Sequence, residues 1–384
     1  MKILHVYKTY FPDPPGGVQE AIRQICLSTK SYGIENTVLT LTKNKEIDTT
    51  KRPEASIERC KSLFTLASCN FGGLDVFNRF RKLASQMDLI HYHFPWPFAD
   101  LLRFVAPKKP SVITYHSDII RQKWLSKLYS PLMWKTLSLM HAVIVTSPNY
   151  LASSPILASH RLSRKVRLIP LGLDEASYAW KENRRVFERI RLPFAAPFFL
   201  FLGALRYYKG LEYILSAARR VKACIVIAGV GPDLESLRAR ATSMGLDNVY
   251  FTGYVSDSEK VVLLKACLAM ILPSHIRSEA FGMVLLESAM FGKPMITAEI
   301  NTGTSFVNEN GVTGLVVPPA SSTELANAMN LFLEDRELAA NFGLAARERY
   351  EKYFSASSLG AAHADLYAEC VNRNDSRDEN SLSI

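Results

Sequence analysis

No uninterrupted apolar run in this 384-residue chain approaches the roughly 20 residues needed to cross a bilayer, so no spanning helix is expected. The start, Met1 to Tyr7, has too short an apolar core for a signal peptide and no small-residue cleavage site behind it; it reads as a first strand. No Cys-x-x-Cys pair occurs among the six cysteines (Cys26, Cys60, Cys69, Cys224, Cys267, Cys370). That argues against structural zinc and a disulfide framework, and for a reducing cytoplasmic compartment. Two ligand signatures are also missing. There is no Gly-x-Gly-x-x-Gly with an acidic residue about twenty positions later, which excludes a dinucleotide fingerprint. No Asp-x-Asp stands at a predicted strand end, so no metal is expected to bridge a diphosphate. Repeats and low-complexity tracts are absent too.

With 48% apolar content, the chain exceeds the usual size of one core and predicts two domains. The formal charge of +10 is uneven. Residues 1–190 hold 28 Lys and Arg against 15 Asp and Glu, whereas residues 191–384 hold 18 against 21. The basic half suits an anionic partner: nucleic acid, an anionic membrane face or a phosphorylated acceptor. A solvated basic surface is the plain alternative. Nucleic acid is disfavoured, because no reading module and no interleaved aromatics are present.

Short Val- and Ile-rich runs alternate with amphipathic stretches, the pattern of parallel sheets flanked by helices. Predicted strands are 3–7, 37–41, 89–92, 111–115, 142–146 and 166–169, then 198–202, 224–228, 249–251, 269–272 and 295–297. Helices are predicted near 18–32, 74–86, 122–140 and 148–160, and throughout after 321. The charged stretch 172–196, ending among prolines, reads as a linker. The tail after 371 is polar and reads as disordered. The basic aromatic stretch from Arg121 to His141 has helical spacing. It lies either in a membrane interface or on its own sheet, and Pro131 should bend or split it.

Three strand-to-loop passages carry groups suited to a phosphorylated ligand. Pro273 to Gly282 follows a predicted strand and precedes the helical stretch from Met283. Backbone N–H groups of Gly282, Met283 and Val284 would be free at such a helix start, a place that binds phosphate. Glu279 either caps this helix or accepts hydrogen bonds from sugar hydroxyls; Glu287 either pairs with a lysine or forks onto a ribose. Phe199 to Gly210 is a strand and a loop bearing Arg206 and Lys209. Two cations there can clamp a diphosphate and stabilise its growing charge as a glycosidic bond breaks; a solvated loop is the alternative. In Pro14-Pro15-Gly16-Gly17-Val18-Gln19, two glycines admit a ligand close to the backbone. His116 falls at the carboxyl end of predicted strand 111–115, where ligands bind in open α/β sheets. His91 and His93 have the spacing of a metal pair, but no third ligand is expected nearby and none is assigned to metal.

Taken in order, the Gly16-Gly17 loop, His116, Gly203 through Lys209-Gly210, Gly229, Gly253-Tyr254-Val255, Glu279 to Glu287, Gly292-Lys293-Pro294 and Thr313 to Val316 resemble the GT4 family of retaining glycosyltransferases. The resemblance implies the GT-B fold, two Rossmann-like domains with parallel sheets facing across a cleft. The domains would be 1–171 and 197–355, a helix 356–371 returning to the first domain, and a polar tail 372–384. It implies catalytic roles for His116, Arg206, Lys209 and Glu279. Donor contacts would come from Gly16, Gly17, Gly229, Tyr254, Val255, Ala280, Phe281, Gly282, Met283, Val284 and Glu287. Ala204 stands where the family usually has an arginine, and Arg206 would substitute for it. No metal or other cofactor is implied. The strings Leu205 to Leu211 and Thr302 to Asn308 are similar to those of bacterial O-antigen mannosyltransferases that use GDP-mannose. The implied partners are GDP-mannose, a lipid-linked glycan acceptor and the anionic inner membrane face. A UDP-sugar is the alternative donor, and a non-catalytic polysaccharide or membrane binder the alternative class.

Overall fold

The computed structural model describes residues 1–13, 16–43, 49–66, 69–119, 123–181, 183–192 and 196–382, the side chains of 123–126 and 374–382 aside. The chain divides into two compact units, Met1–Gly172 with Ala356–Ile384, and Leu173–Ser355.

The first unit is built on β1 (Lys2–Val6), β2 (Glu35–Thr42), β3 (Thr49–Lys51), β4 (Ser56–Leu66), β5 (Cys69–Gly72), β6 (Leu89–Phe94), β7 (Ser111–Tyr115), β8 (Ala142–Val145) and β9 (Val166–Leu168). Their order is β3-β4-β2-β1-β6-β7-β8-β9, with β5 beside β4. Only β3 and β5 run antiparallel to their neighbour among the described pairings. The second unit holds β10 (Phe198–Leu202), β11 (Cys224–Ala228), β12 (Val249–Gly253), β13 (Ala269–Leu272), β14 (Met295–Ala298) and β15 (Gly314–Val317), all parallel, in the order β12-β11-β10-β13-β14-β15.

These strands form where the sequence is apolar without alternation, because a strand covered by helices on both faces has no polar side. Every residue of β10, β13 and β14 is buried. In each sheet the chain starts in the middle and winds outward both ways. Topological switch points therefore lie between β1 and β6 and between β10 and β13, and the crevice above the carboxyl ends of such strands is where open α/β sheets bind ligands. Helix Ala356–Leu382 completes the first core: Leu359, Leu366, Tyr367 and Cys370 pack against Ile3, Leu89, Val112, Ala142 and Ile144.

Four sequence expectations need correction. The stretch read as a linker belongs to the second unit from Leu173 onward, and carries a 3-10 turn Glu175–Tyr178 and helix Arg185–Arg189. Leu173, Tyr178, Val186, Phe187 and Leu192 are buried there, an apolar set that the charges of Lys181 to Arg185 obscured. Glu182 and Pro193 lie outside the described residues. The helix that begins at Ala356 continues through Leu382, so the polar tail is helical that far. Helix Lys123–Leu139 runs unbroken through Pro131. It packs onto its own unit through Met133, Leu137 and the bond from the Tyr129 hydroxyl to Asp100, with Leu128 left exposed; Arg121 and the side chains of Trp124 and Leu125 lie outside the described residues. Strands β3 to β5 and β15 were not expected at all.

Candidate active site

The β10–β13 switch point brings together the two loops singled out in the second half. After β10 the chain turns through Gly203 into the 3-10 turn Tyr207–Lys209; after β13 it runs from Pro273 to Gly282. The two loops are stitched together, the His275 N–H donating to the Tyr208 carbonyl at 3.1 Å. Gly210 makes this approach possible. Its φ is +75°, and a Cβ there would stand inside the Pro273 carbonyl oxygen. Gly210→Ala is therefore expected to cost about 3 kcal/mol from left-handed backbone and overpacking together, read as a lowered urea midpoint at unchanged slope.

Lys209 forms an ion pair with Glu279, both side chains 11% exposed. Burial works against the lysine's charge, but the Glu279 carboxylate, with Tyr208, outweighs it and holds the pKa above the usual lysine value. The Ser274 hydroxyl donates to the same carboxylate at 3.4 Å. Glu279 thus does not cap the helix that follows. That helix, Met283–Met290, starts from Gly282 at φ 81° with no side-chain cap, leaving backbone N–H groups at its first turn unclaimed by a cap. Phe281 is buried and Ala280 is half-buried, its carbonyl accepting from Gly303 N–H at 2.8 Å. Arg206 is exposed, and its guanidinium has no carboxylate partner among the described residues. Ala204 is exposed on the same loop.

Glu287, a turn inside the helix, is buried. Its Oε1 accepts from the Tyr178 hydroxyl at 2.7 Å and from Lys260 Nζ at 2.9 Å, and Lys260 also lies 4.7 Å from the Tyr178 ring centre. Neither partner was singled out from sequence. Tyr178 sits in the supposed linker, and no spacing rule links position 260 to 287. On the other side of β10, Gly229 follows β11 at φ 138°, its N–H donating to the Gly253 carbonyl at 2.9 Å. Tyr254 is exposed, with Val255 half-buried beside it.

In the first unit, Gly16 and Gly17 open helix Gly17–Lys30 after β1; Pro14 and Pro15 lie outside the described residues. His116 follows β7, 7% exposed. The expectation that His91 and His93 have no third imidazole nearby is overturned. Parallel pairing sets His5 of β1 beside His91 of β6, and the ligand atoms of His5, His91 and His93 lie within 4.8 Å of one another. Hydrogen bonding already commits these nitrogens: His5 Nδ1 to His93 Nε2 at 3.1 Å, His93 Nδ1 to His116 Nε2 at 3.0 Å, and His91 to Tyr367 and Thr114 at 2.7 Å each. No carboxylate bonds to these rings among the described residues.

Two Rossmann-like units in one chain, each with ligand-suited loops above its switch point, are the architecture of the GT-B fold. The model for Glycosyltransferase Family 4 matches residues 15–177, and that for Glycosyl transferases group 1 matches 183–349. The chain is 45% identical over 357 residues to D-rhamnosyltransferase WbpZ of Pseudomonas aeruginosa, covering 93% of each. It is 41% identical to O-antigen chain mannosyltransferase C of Escherichia coli, covering 96% of this chain and 98% of that one. It belongs to glycosyltransferase family 4. Sucrose-phosphate synthase from Thermosynechococcus elongatus shares the fold with a TM-score of 0.78 at 21% identity, over 96% of this chain and 98% of that one. Anabaena HepE in complex with UDP and glucose does so with a TM-score of 0.75 at 20% identity, over 96% and 100%. No helix among the described residues is long and apolar enough to cross a membrane.

Proposed function

We propose that this enzyme transfers mannose, or its 6-deoxy form D-rhamnose, from a GDP-linked donor to a lipid-linked glycan in the assembly of an O-antigen or related surface polysaccharide. The observation that carries the reading is similarity over more than nine-tenths of both chains to transferases of these two sugars. In this reading the donor diphosphate sits above β10 and β13, on the N–H groups of Gly282, Met283 and Val284. Lys209 and Glu279 nearly cancel in charge, so the unpaired Arg206 supplies the positive surplus that a diphosphate needs. Glu279 then accepts hydrogen bonds from the transferred sugar and Glu287 from the ribose. Gly229, Tyr254, Val255, Ala280 and Phe281 complete the donor contacts; in the first unit His116 is a sugar contact, and Gly16 and Gly17 leave backbone open to a phosphorylated ligand.

The leaving diphosphate takes the acceptor proton on the face it departs from, so the sugar keeps its anomeric configuration. No metal enters this scheme, because Arg206 and the helix start supply the surplus charge stabilisation. The basic residues of the first half favour an acceptor presented at an anionic membrane face on the cytoplasmic side, with no part for nucleic acid.

The test is a transfer assay on a lipid-linked primer with GDP-mannose, GDP-D-rhamnose and UDP-linked hexoses, with and without a chelator, followed by linkage analysis. A GDP-sugar is expected to give an α-linked product with chelator present. Binding of UDP but not GDP, or transfer only from a UDP-sugar, would sink the donor assignment.

A further inference from the structure

The buried imidazoles under the first sheet's switch point form a directional chain. Asn36 sets its start. The side-chain amide donates to the Cys26 carbonyl and to Thr29 Oγ1, both at 3.1 Å, and the Thr29 hydroxyl proton is itself committed to the Ile25 carbonyl at 2.8 Å. The Asn36 carbonyl oxygen is left to face His5 Nε2 at 3.1 Å, and an oxygen there can only accept. His5 therefore carries its proton on Nε2. A neutral imidazole has one N–H, so His5 Nδ1 is bare and accepts from His93 Nε2; His93 Nδ1 is then bare and accepts from His116 Nε2. The last ring ends the series. His116 carries its proton on Nε2, and its Nδ1 has no hydrogen-bond partner among the described residues.

The neutral state that this logic needs follows from burial without a carboxylate. His5 and His93 are 0% and 1% exposed, and burial holds His5 and His116 down to about 3 and His93 well below the ordinary histidine value.

We propose that His5 and His93, anchored by Asn36, are positioning residues that fix His116 as its Nε2–H tautomer and so present a bare Nδ1 lone pair to accept a hydrogen bond from a hydroxyl of a sugar substrate. This rests on His116 being a sugar contact, as proposed above. Fixing one tautomer and one ring orientation spares the site the cost of selecting them at each turnover, the role that outer partners play for other functional histidines.

The test uses the full chain labelled with 15N-histidine, the His116 signals being assigned by their loss in His116→Gln. A protonated, pyrrole-like Nε2 and a pyridine-like Nδ1 are expected for His116 at neutral pH. His93→Leu removes the acceptor, and should scramble the His116 tautomer and lower kcat by about tenfold, the worth of one hydrogen bond. His93→Asn places an amide oxygen near the lost Nδ1, and should restore both the spectrum and the rate. A His116 with its proton on Nδ1 in the unmodified protein overturns the proposal without any variant having to fold. A His93→Leu protein with unchanged kcat overturns the positioning role alone, provided His116→Gln is impaired. Full activity in His116→Gln instead overturns the sugar contact on which it rests.

Discussion

Lys209→Ala is expected to lower sugar transfer by about 10²–10³-fold, the usual loss when one preorganised group facing developing charge is removed, and Glu279→Ala to do the same. The two single variants carry a second effect that must be separated from the first. Each leaves its partner buried without an opposite charge, and breaking a buried pair from one side costs about 3–5 kcal/mol of stability. The doubly neutral variant Lys209→Met with Glu279→Gln removes both charges and most of that penalty. Its urea midpoint should stay near that of the parent while transfer remains lost. Initial rates with the donor, alongside urea unfolding of all three proteins, decide the matter. Near-normal turnover in either single variant would refute the assignment of this pair to the reaction.

Acidification is expected to unfold the first unit between about pH 6.5 and 4. Burial holds His5 and His116 at about 3 and His363 at about 4, and His91 and His93 well below the ordinary value of 6.5. In the unfolded chain all five take up protons near 6.5, so below that pH the unfolded state binds more protons. The stability they allow is complete above 6.5 and is lost as pH falls toward the folded values. Each such proton is worth about 1.4 kcal/mol per pH unit.

Asp100 opposes them. Burial raises its pKa to about 7, so it binds a proton in the folded state over much of the same range, and Asp13 is shifted in the same direction. About three to four protons net give a slope of roughly 4–5 kcal/mol per pH unit, which two units of pH would turn into a typical domain's entire stability of about 5–15 kcal/mol. Trp96, buried in the first unit, offers a fluorescence signal for urea unfolding at pH 7.5, 6 and 5. A midpoint unchanged across that series would show that the histidine layer is not held neutral.

Much of the architecture was legible because it is written in local pattern. The bounds of β7, β10, β11 and β13 were read correctly from contiguous apolar runs, since a strand buried on both faces needs no partner to be recognised. Strands β3 and β5 escaped because they lie at the sheet's edge, and β4 because it buries Glu58 and Arg59 while exposing Leu63, Phe64 and Leu66, so no apolar run marks it. The donor-side loops were legible as residue types, Arg206 and Lys209 after one strand and Glu279 before a helix. Two readings of each remained open. Only the strand order β10-β13 set Lys209 against Glu279 and withdrew Glu279 from capping.

The same division separates the two units' functional groups. Sequence by itself determined a two-domain, metal-motif-free α/β chain with its phosphate-suited loops at strand ends, because hydrophobic period, turn residues and charge are properties of neighbours along the chain. The tertiary structure alone decided that Tyr178, 109 residues away, and Lys260, 27 residues away, hold Glu287. It alone aligned His5 with His93 across 88 residues and His93 with His116 across 23. Those contacts depend on strand order and register, and a hydrogen bond of 3 Å exists only once both are in place.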